Sequence, residues 1–293
     1  METAFSSTGI IRPRILLTGA TEGIGKELAR GLARTGAHLI LVNRNAAKAK
    51  QVALQLRAEF PAVELYLHTA DVGNLDQMRR VVADVKARHS QLDGIIANAG
   101  FMGYLQRTLT DAEHEITLSV NVLGHLVLIH ELWPLLLQSP HGARIITTGS
   151  VSHRIAQLRL DDIHLARSYK PAQAYAHSKL LLLLYTRALA RRLPAPHLAA
   201  CADPGSVYTG ILRTYPQWLQ TAFRIYKPFT RSLETGAATQ LHLATAAEAR
   251  QYNGAYLRDM KPFRCTKASE NVELQEAAYH QLLQLAGVND IQA

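Results

Sequence analysis

Residues 14–35 read as a strand, a glycine-rich turn and a helix in immediate succession, and few folds accommodate that unit. Arg14-Ile15-Leu16-Leu17 is a short apolar run of strand character. The helix behind it carries apolar residues at 24, 28, 29, 32 and 33, the spacing of one buried face. Between them lies Thr18-Gly19-Ala20-Thr21-Glu22-Gly23-Ile24-Gly25. Glycines here let the backbone turn tightly and come close to a bound group. The helix N-terminus adds unpaired N–H donors and a positive dipole end, which suits a pyrophosphate. The spacing is GxxxGxG rather than GxGxxG, and an ordinary glycine loop would show the same letters, so the turn needs company.

That company is an alternation running through the chain. Strand-like runs fall near 14–18, 38–42, 63–69, 93–97, 143–148, 197–202 and 255–257. Helical patterns lie between and after them, near 23–35, 45–59, 74–89, 111–137, 172–193, 234–248 and 270–286. Such a pattern predicts an α/β fold: one doubly wound, mostly parallel, seven-stranded sheet with helices on both faces. Ligands of such sheets bind beyond the carboxyl ends of the strands. With 293 residues and 48% hydrophobic composition, one large domain is sufficient. We expect it over 14–287, with an N-terminal extension at 1–13 and a tail at 288–293.

Tyr175-Ala176-His177-Ser178-Lys179 sits in a helical pattern, and a Tyr and a Lys four apart share one helix face. An ammonium beside a phenol favours the phenolate, which predicts a Tyr175 pKa below the ordinary value of about 10. A phenol so tuned can exchange protons near neutral pH.

Taken together, these segments make the chain resemble the classical short-chain dehydrogenase/reductases, within them the retinol dehydrogenase and WW-domain oxidoreductase group. The resemblance covers about Arg14 to Gly287. It rests on the turn at 18–25, on Ala97-Asn98-Ala99-Gly100, and on Asn121 in Ser119-Val120-Asn121-Val122-Leu123-Gly124-His125. It rests also on Ser150 after Arg144-Ile145-Ile146-Thr147-Thr148-Gly149, on Tyr175 and Lys179, and on Asp203-Pro204-Gly205-Ser206-Val207-Tyr208-Thr209. The long gap from Ser150 to Tyr175 and the Tyr-x-His-Ser-Lys form point to the retinol dehydrogenase-like members.

The resemblance implies a Rossmann-type fold and a nicotinamide cofactor. It implies cofactor contacts from Gly19, Thr21, Glu22, Gly23, Ile24 and Gly25, and from Asp71, Val72, Asn98, Ala99 and Gly100. Pro204, Gly205, Val207 and Thr209 would bracket the nicotinamide, and Lys179 would reach its ribose. NAD-preferring relatives carry an acidic residue after the second strand. This chain has Asn43, which does not repel a 2′-phosphate, and Arg44, whose fork can meet one. The resemblance therefore implies NADP(H), against which Glu22 would set a carboxylate. Asp71 matches an adenine-contacting position, and equally suits the cap region of the next helix.

The implied chemistry is hydride transfer between the cofactor and a carbonyl or carbinol carbon. Tyr175 would exchange the proton, Ser150 would hold the substrate oxygen, and Asn121 would anchor a water behind Lys179. Alternatives are reduction of an activated C=C bond, or a cofactor-binding regulatory protein without turnover. His177 points about 160° from Lys179 around the helix and reads as packing or surface. His153, close to Ser150, could line the substrate pocket or not.

Residues 209–231 are rich in aromatics and cations and hold no acidic side chain. They read as a lid, within an insertion at 206–232, over a bulky apolar substrate. A membrane-touching surface helix and plain packing are the other readings. The net charge of +9 suits a nucleotide phosphate, and no basic run with interleaved aromatics points to nucleic acid. Cys201 and Cys265 make no disulfide framework, and each reads as a buried apolar residue. No secretory signal is apparent and the chain starts about where the catalytic region starts, so a soluble, cytoplasmic protein without a membrane anchor is expected. Val120–Leu137, broken by polar residues and Pro134, reads as a core helix rather than a span. Pairing of two copies through the helices at 111–137 and 172–193, common in the family, is left open.

Overall fold

The computed structural model describes residues 12–208, 215–226 and 230–291. The first half runs β1 (Arg14–Thr18), α1 (Gly23–Arg34), β2 (His38–Asn43), α2 (Ala46–Glu59), β3 (Leu65–Thr69), α3 (Leu75–Arg88) and β4 (Gly94–Ala97). Then follow α4 (Ile116–Leu118), α5 (Gly124–Glu131), α6 (Trp133–Leu136), β5 (Arg144–Thr148), α7 (Pro171–Arg192) and β6 (Leu198–Ala202). The chain closes with α8 (Gln217–Tyr226), α9 (Leu233–Thr245), β7 (Tyr256–Arg258), β8 (Lys261–Pro262), α10 (Lys267–Glu270) and α11 (Val272–Ala286).

The strands form one sheet in the order β3-β2-β1-β4-β5-β6-β7-β8. All neighbours are parallel except β7 and β8. The eighth strand departs from the expected seven. It is two residues long, returns from a turn in which Asp259 and Met260 both take positive φ (54° and 61°), and is too short to carry a periodic signal.

Alternate strand residues feed two separate cores. Leu16, Ile40, Ile95 and Ile145 enter one, shared with α3, α5, α7 and α11. Leu17, Leu41, Ile96 and Ile146 enter the other, shared with α1, α2 and α9. Burial on both faces explains why these strands read as unbroken apolar runs rather than alternating ones.

The expected helix at 111–137 starts later and breaks twice. Glu115 caps it, its carboxylate accepting from the N–H groups of Thr117 and Leu118. A π turn, Ser119–Leu123, separates α4 from α5, and Pro134 at the start of α6 ends the ladder. C-terminal α11 lies along α7, where Arg191 and Arg192 both pair with Glu276. No helix among the described residues is long and apolar enough to cross a membrane.

Candidate active site

The carboxyl ends of β1, β2, β4, β5 and β6 open on one cleft of about 710 Å³. Every site residue expected from the sequence lines it save Asn121, behind its wall, and Thr209, which lies outside the described residues.

At one end is the glycine turn. Gly19 has φ +72°, and a Cβ there would sit 3.0 Å from Ala99 Cα. A Cβ on Gly25 would lie 1.9 Å from the Gly19 carbonyl oxygen, so only glycine fits. The turn is fastened from beneath. Asn43 is buried at the cleft floor and its Oδ1 accepts from Ala20 N at 2.7 Å, which helps to shape the turn. Asn98 Nδ2 donates to the Thr18 and Gly19 carbonyls at 3.0 and 3.2 Å. Close backbone approach and the α1 N-terminus together fit a nucleotide pyrophosphate.

Two cations flank this end. Arg44, 63% exposed at its side chain, lies 3.6 Å from Asp71. Lys48, on the first turn of α2, lies 3.0 Å from Glu22 Oε2. Asp71 does not cap α3; Asn74 does, and Asp71 instead accepts from Gly73 N at 2.9 Å.

The other end holds the tyrosine, lysine and serine expected to handle the proton. Tyr175 and Lys179 project from α7, and Ser150 follows β5. Lys179 Nζ donates to the Thr148 carbonyl at 2.8 Å and stands 5.6 Å from the Tyr175 ring centroid. Burial pushes the Tyr175 phenol up to about 12, a bond with Ser150 partly offsetting it. Burial also pulls Lys179 down to about 8. This reverses the direction expected for Tyr175. Desolvation outweighs an ammonium whose proton is directed at Thr148, so the phenol holds its proton at neutral pH.

Asn121 is fully buried in the π turn. Its Oδ1 accepts from Phe101 N at 2.8 Å, and its Nδ2 donates to Phe101 O at 3.0 Å and Ser178 Oγ at 2.8 Å. The amide thus clamps the 98–101 turn to α7. His153 does not line the cleft: its Nδ1 donates to Ser150 O at 2.7 Å and its ring meets Tyr256 edge-on. His177 packs inside with Nε2 3.3 Å from Arg159 N.

A family model described as short chain dehydrogenase matches residues 13–220. The chain belongs to the short chain dehydrogenase family. Within it, this dehydrogenase falls in the retinol dehydrogenase-like group. It is 33% identical to retinol dehydrogenase 12 of Mus musculus over 275 residues, covering 94% of this chain and 86% of that one. It is 32% identical to polyprenol dehydrogenase of Homo sapiens over 287 residues, with the same coverage. Among solved structures, a Mycobacterium paratuberculosis protein shares the fold with a TM-score of 0.76, 26% identity and 98% coverage of both chains.

Parts of the dehydrogenase's site escaped the sequence reading. Lys48 is one; the only signal was a carboxylate at Glu22 in need of a partner. Of the aromatics at 210–229, Trp218 is 71% exposed, while the side chains of Phe223, Tyr226 and Phe229 lie outside the described residues. Tyr215 OH donates to Met102 O at 3.2 Å, joining this segment to the cleft rim.

Proposed function

We propose that this chain is an NADP(H)-dependent oxidoreductase that interconverts a carbonyl and an alcohol on a bulky apolar substrate, with Tyr175 as acid and base. The observation that carries the reading is a single cleft with a phosphate-suited end and a proton-donating end. Arg44 and Lys48 at the first end would meet the 2′-phosphate with charge-assisted bonds. Lys48 also neutralises Glu22, the residue that would otherwise oppose it. Bound there, the nicotinamide nucleotide supplies the hydride.

The chain's own residues do the rest. A phenol with its pKa raised to about 12 is protonated and can give its proton to the substrate oxygen in reduction; in oxidation it must first lose that proton, and the phenolate then takes one from the alcohol. Ser150 adds a second hydroxyl where negative charge develops on that oxygen. Asn121 keeps the 98–101 turn and α7 in register, and Lys179 supplies positive charge beneath the phenol.

Phe101, Met102, Tyr104 and Val151 line the open side of the cleft and give it an apolar wall. Retinol and polyprenol, in the names of the two relatives, are long apolar alcohols, which agrees with that wall. Residues 206–232, of which 209–214 and 227–229 lie outside the described residues, are proposed as a lid, and Tyr215 within them reaches Met102 at the cleft rim. The test is a panel of retinal, steroid ketones and short polar aldehydes, followed by loss of NADPH absorbance. Higher kcat/KM for the large apolar carbonyls is expected. Equal values for the short polar ones would remove the apolar pocket from the account.

A further inference from the structure

Thr18, His125 and Asn121 form a buried chain that links the nucleotide end of the cleft to the proton end. Thr18 is the last residue of β1, next to Gly19. Its Oγ1 accepts from Asn98 N at 3.0 Å and from Ala99 N at 2.9 Å. A hydroxyl oxygen has two lone pairs, and both are used here. Its proton has one direction left, towards His125 Nε2 at 3.0 Å.

The ring tautomer follows from this count. Nε2 receives the Thr18 proton and is therefore bare, so the ring hydrogen sits on Nδ1. From Nδ1 it points to the Asn121 carbonyl at 3.3 Å, in the π turn that precedes α5. His125 is 1% exposed, and Thr18 and Asn121 are fully buried. A cationic ring would aim a second donor at an oxygen with no free lone pair.

We infer that His125 is a positioning residue of this dehydrogenase, holding the glycine turn and the Asn121 clamp at a fixed spacing. One side fixes Thr18, and through it the Asn98–Ala99 backbone against which Gly19 packs. The other side fixes the peptide of Asn121, whose amide binds Phe101 and Ser178. The inference rests on the nucleotide-binding reading above, and deepens it by naming what sets the width of the cleft.

The experiment measures the NADPH dissociation constant, kcat/KM with all-trans-retinal and the melting temperature for His125→Phe, His125→Gln and His125→Asn. Phe keeps ring volume and removes both nitrogens. Gln retains an acceptor where Nε2 was, and Asn retains a donor where Nδ1 was. We expect Phe to weaken NADPH binding about tenfold, the loss that goes with one unsatisfied buried hydroxyl. Gln should restore binding to within about threefold of the wild type, since the Thr18 acceptor is back. Asn should not.

NADPH binding by His125→Phe equal to wild type would overturn the inference. So would equal losses in Gln and Asn, whether or not Phe folds, because general damage to packing does not distinguish an acceptor from a donor. Wild-type protein that binds no nicotinamide nucleotide would instead defeat the nucleotide reading, and the inference with it.

Discussion

Lys48 Nζ stands 3.0 Å from Glu22 Oε2, across the mouth of the glycine turn. The pair would offset the Glu22 carboxylate where a 2′-phosphate is to bind, with Arg44 on the same cleft. Replacing either Arg44 or Lys48 by Ala should remove a charge-assisted contact worth roughly 1.5–3 kcal/mol and lower the NADPH-over-NADH preference accordingly. Lys48→Ala should cost more than its own contact, since it also unmasks Glu22. The ratio of kcat/KM values for the two cofactors reports this. An NADH preference in the unmodified protein would contradict it.

Two groups on α7, Lys179 and Tyr175, should set the pH profile of the free enzyme. Lys179 is pulled down to about 8 and Tyr175 is pushed up to about 12. For carbonyl reduction, kcat/KM for NADPH should fall above pH 8 as the ammonium loses its proton, while the phenol stays protonated well beyond. Lys179→Arg should move that limb upward, because a guanidinium does not titrate in this range. A profile flat to pH 10 in the unmodified enzyme would show that the charge on Lys179 is not needed.

Three buried histidines should make the fold acid-labile. Burial lowers His125, His130 and His177 from the ordinary 6.5 to about 4. Below 6.5 the unfolded chain binds protons that the native rings refuse. The stability they contribute is therefore complete above pH 6.5 and is lost as pH falls towards 4, by roughly 1.4 kcal/mol per pH unit per ring. Melting temperatures should be level from pH 8 to 7 and drop steeply from 6.5 to 4.5. A level curve to 4.5 would mean that these rings are hydrated.

What the sequence showed and what it hid divide along a physical line. The strands and flanking helices were legible because each is a local pattern, and burial on both faces made the strands conspicuous. The Tyr175–Lys179 pair and the glycine turn could be read because their spacing is fixed within one helix or one turn, whereas Ser150 entered only through the family resemblance. His125 was hidden because its partners, Thr18 and Asn121, reach it from a strand end and a π turn that no periodicity marks. The hydrogen bond from Ala20 N to Asn43 was hidden for the same reason: only the sheet brings the two near. The direction of the Tyr175 shift was missed because a four-residue spacing shows proximity to Lys179 but not the desolvation that outweighs it.

The central claim is that Tyr175 passes the proton to the substrate oxygen, and Tyr175→Phe tests it most directly. Phe keeps the ring packed on α7 and removes only the hydroxyl. The measurement is single-turnover reduction of all-trans-retinal by the NADPH-loaded variant, with NADPH affinity determined alongside. The account predicts NADPH binding within about threefold of wild type and a rate lowered at least about a hundredfold, the scale of general acid catalysis. A variant that binds NADPH and still reduces retinal at about a tenth of the wild-type rate or faster would contradict it.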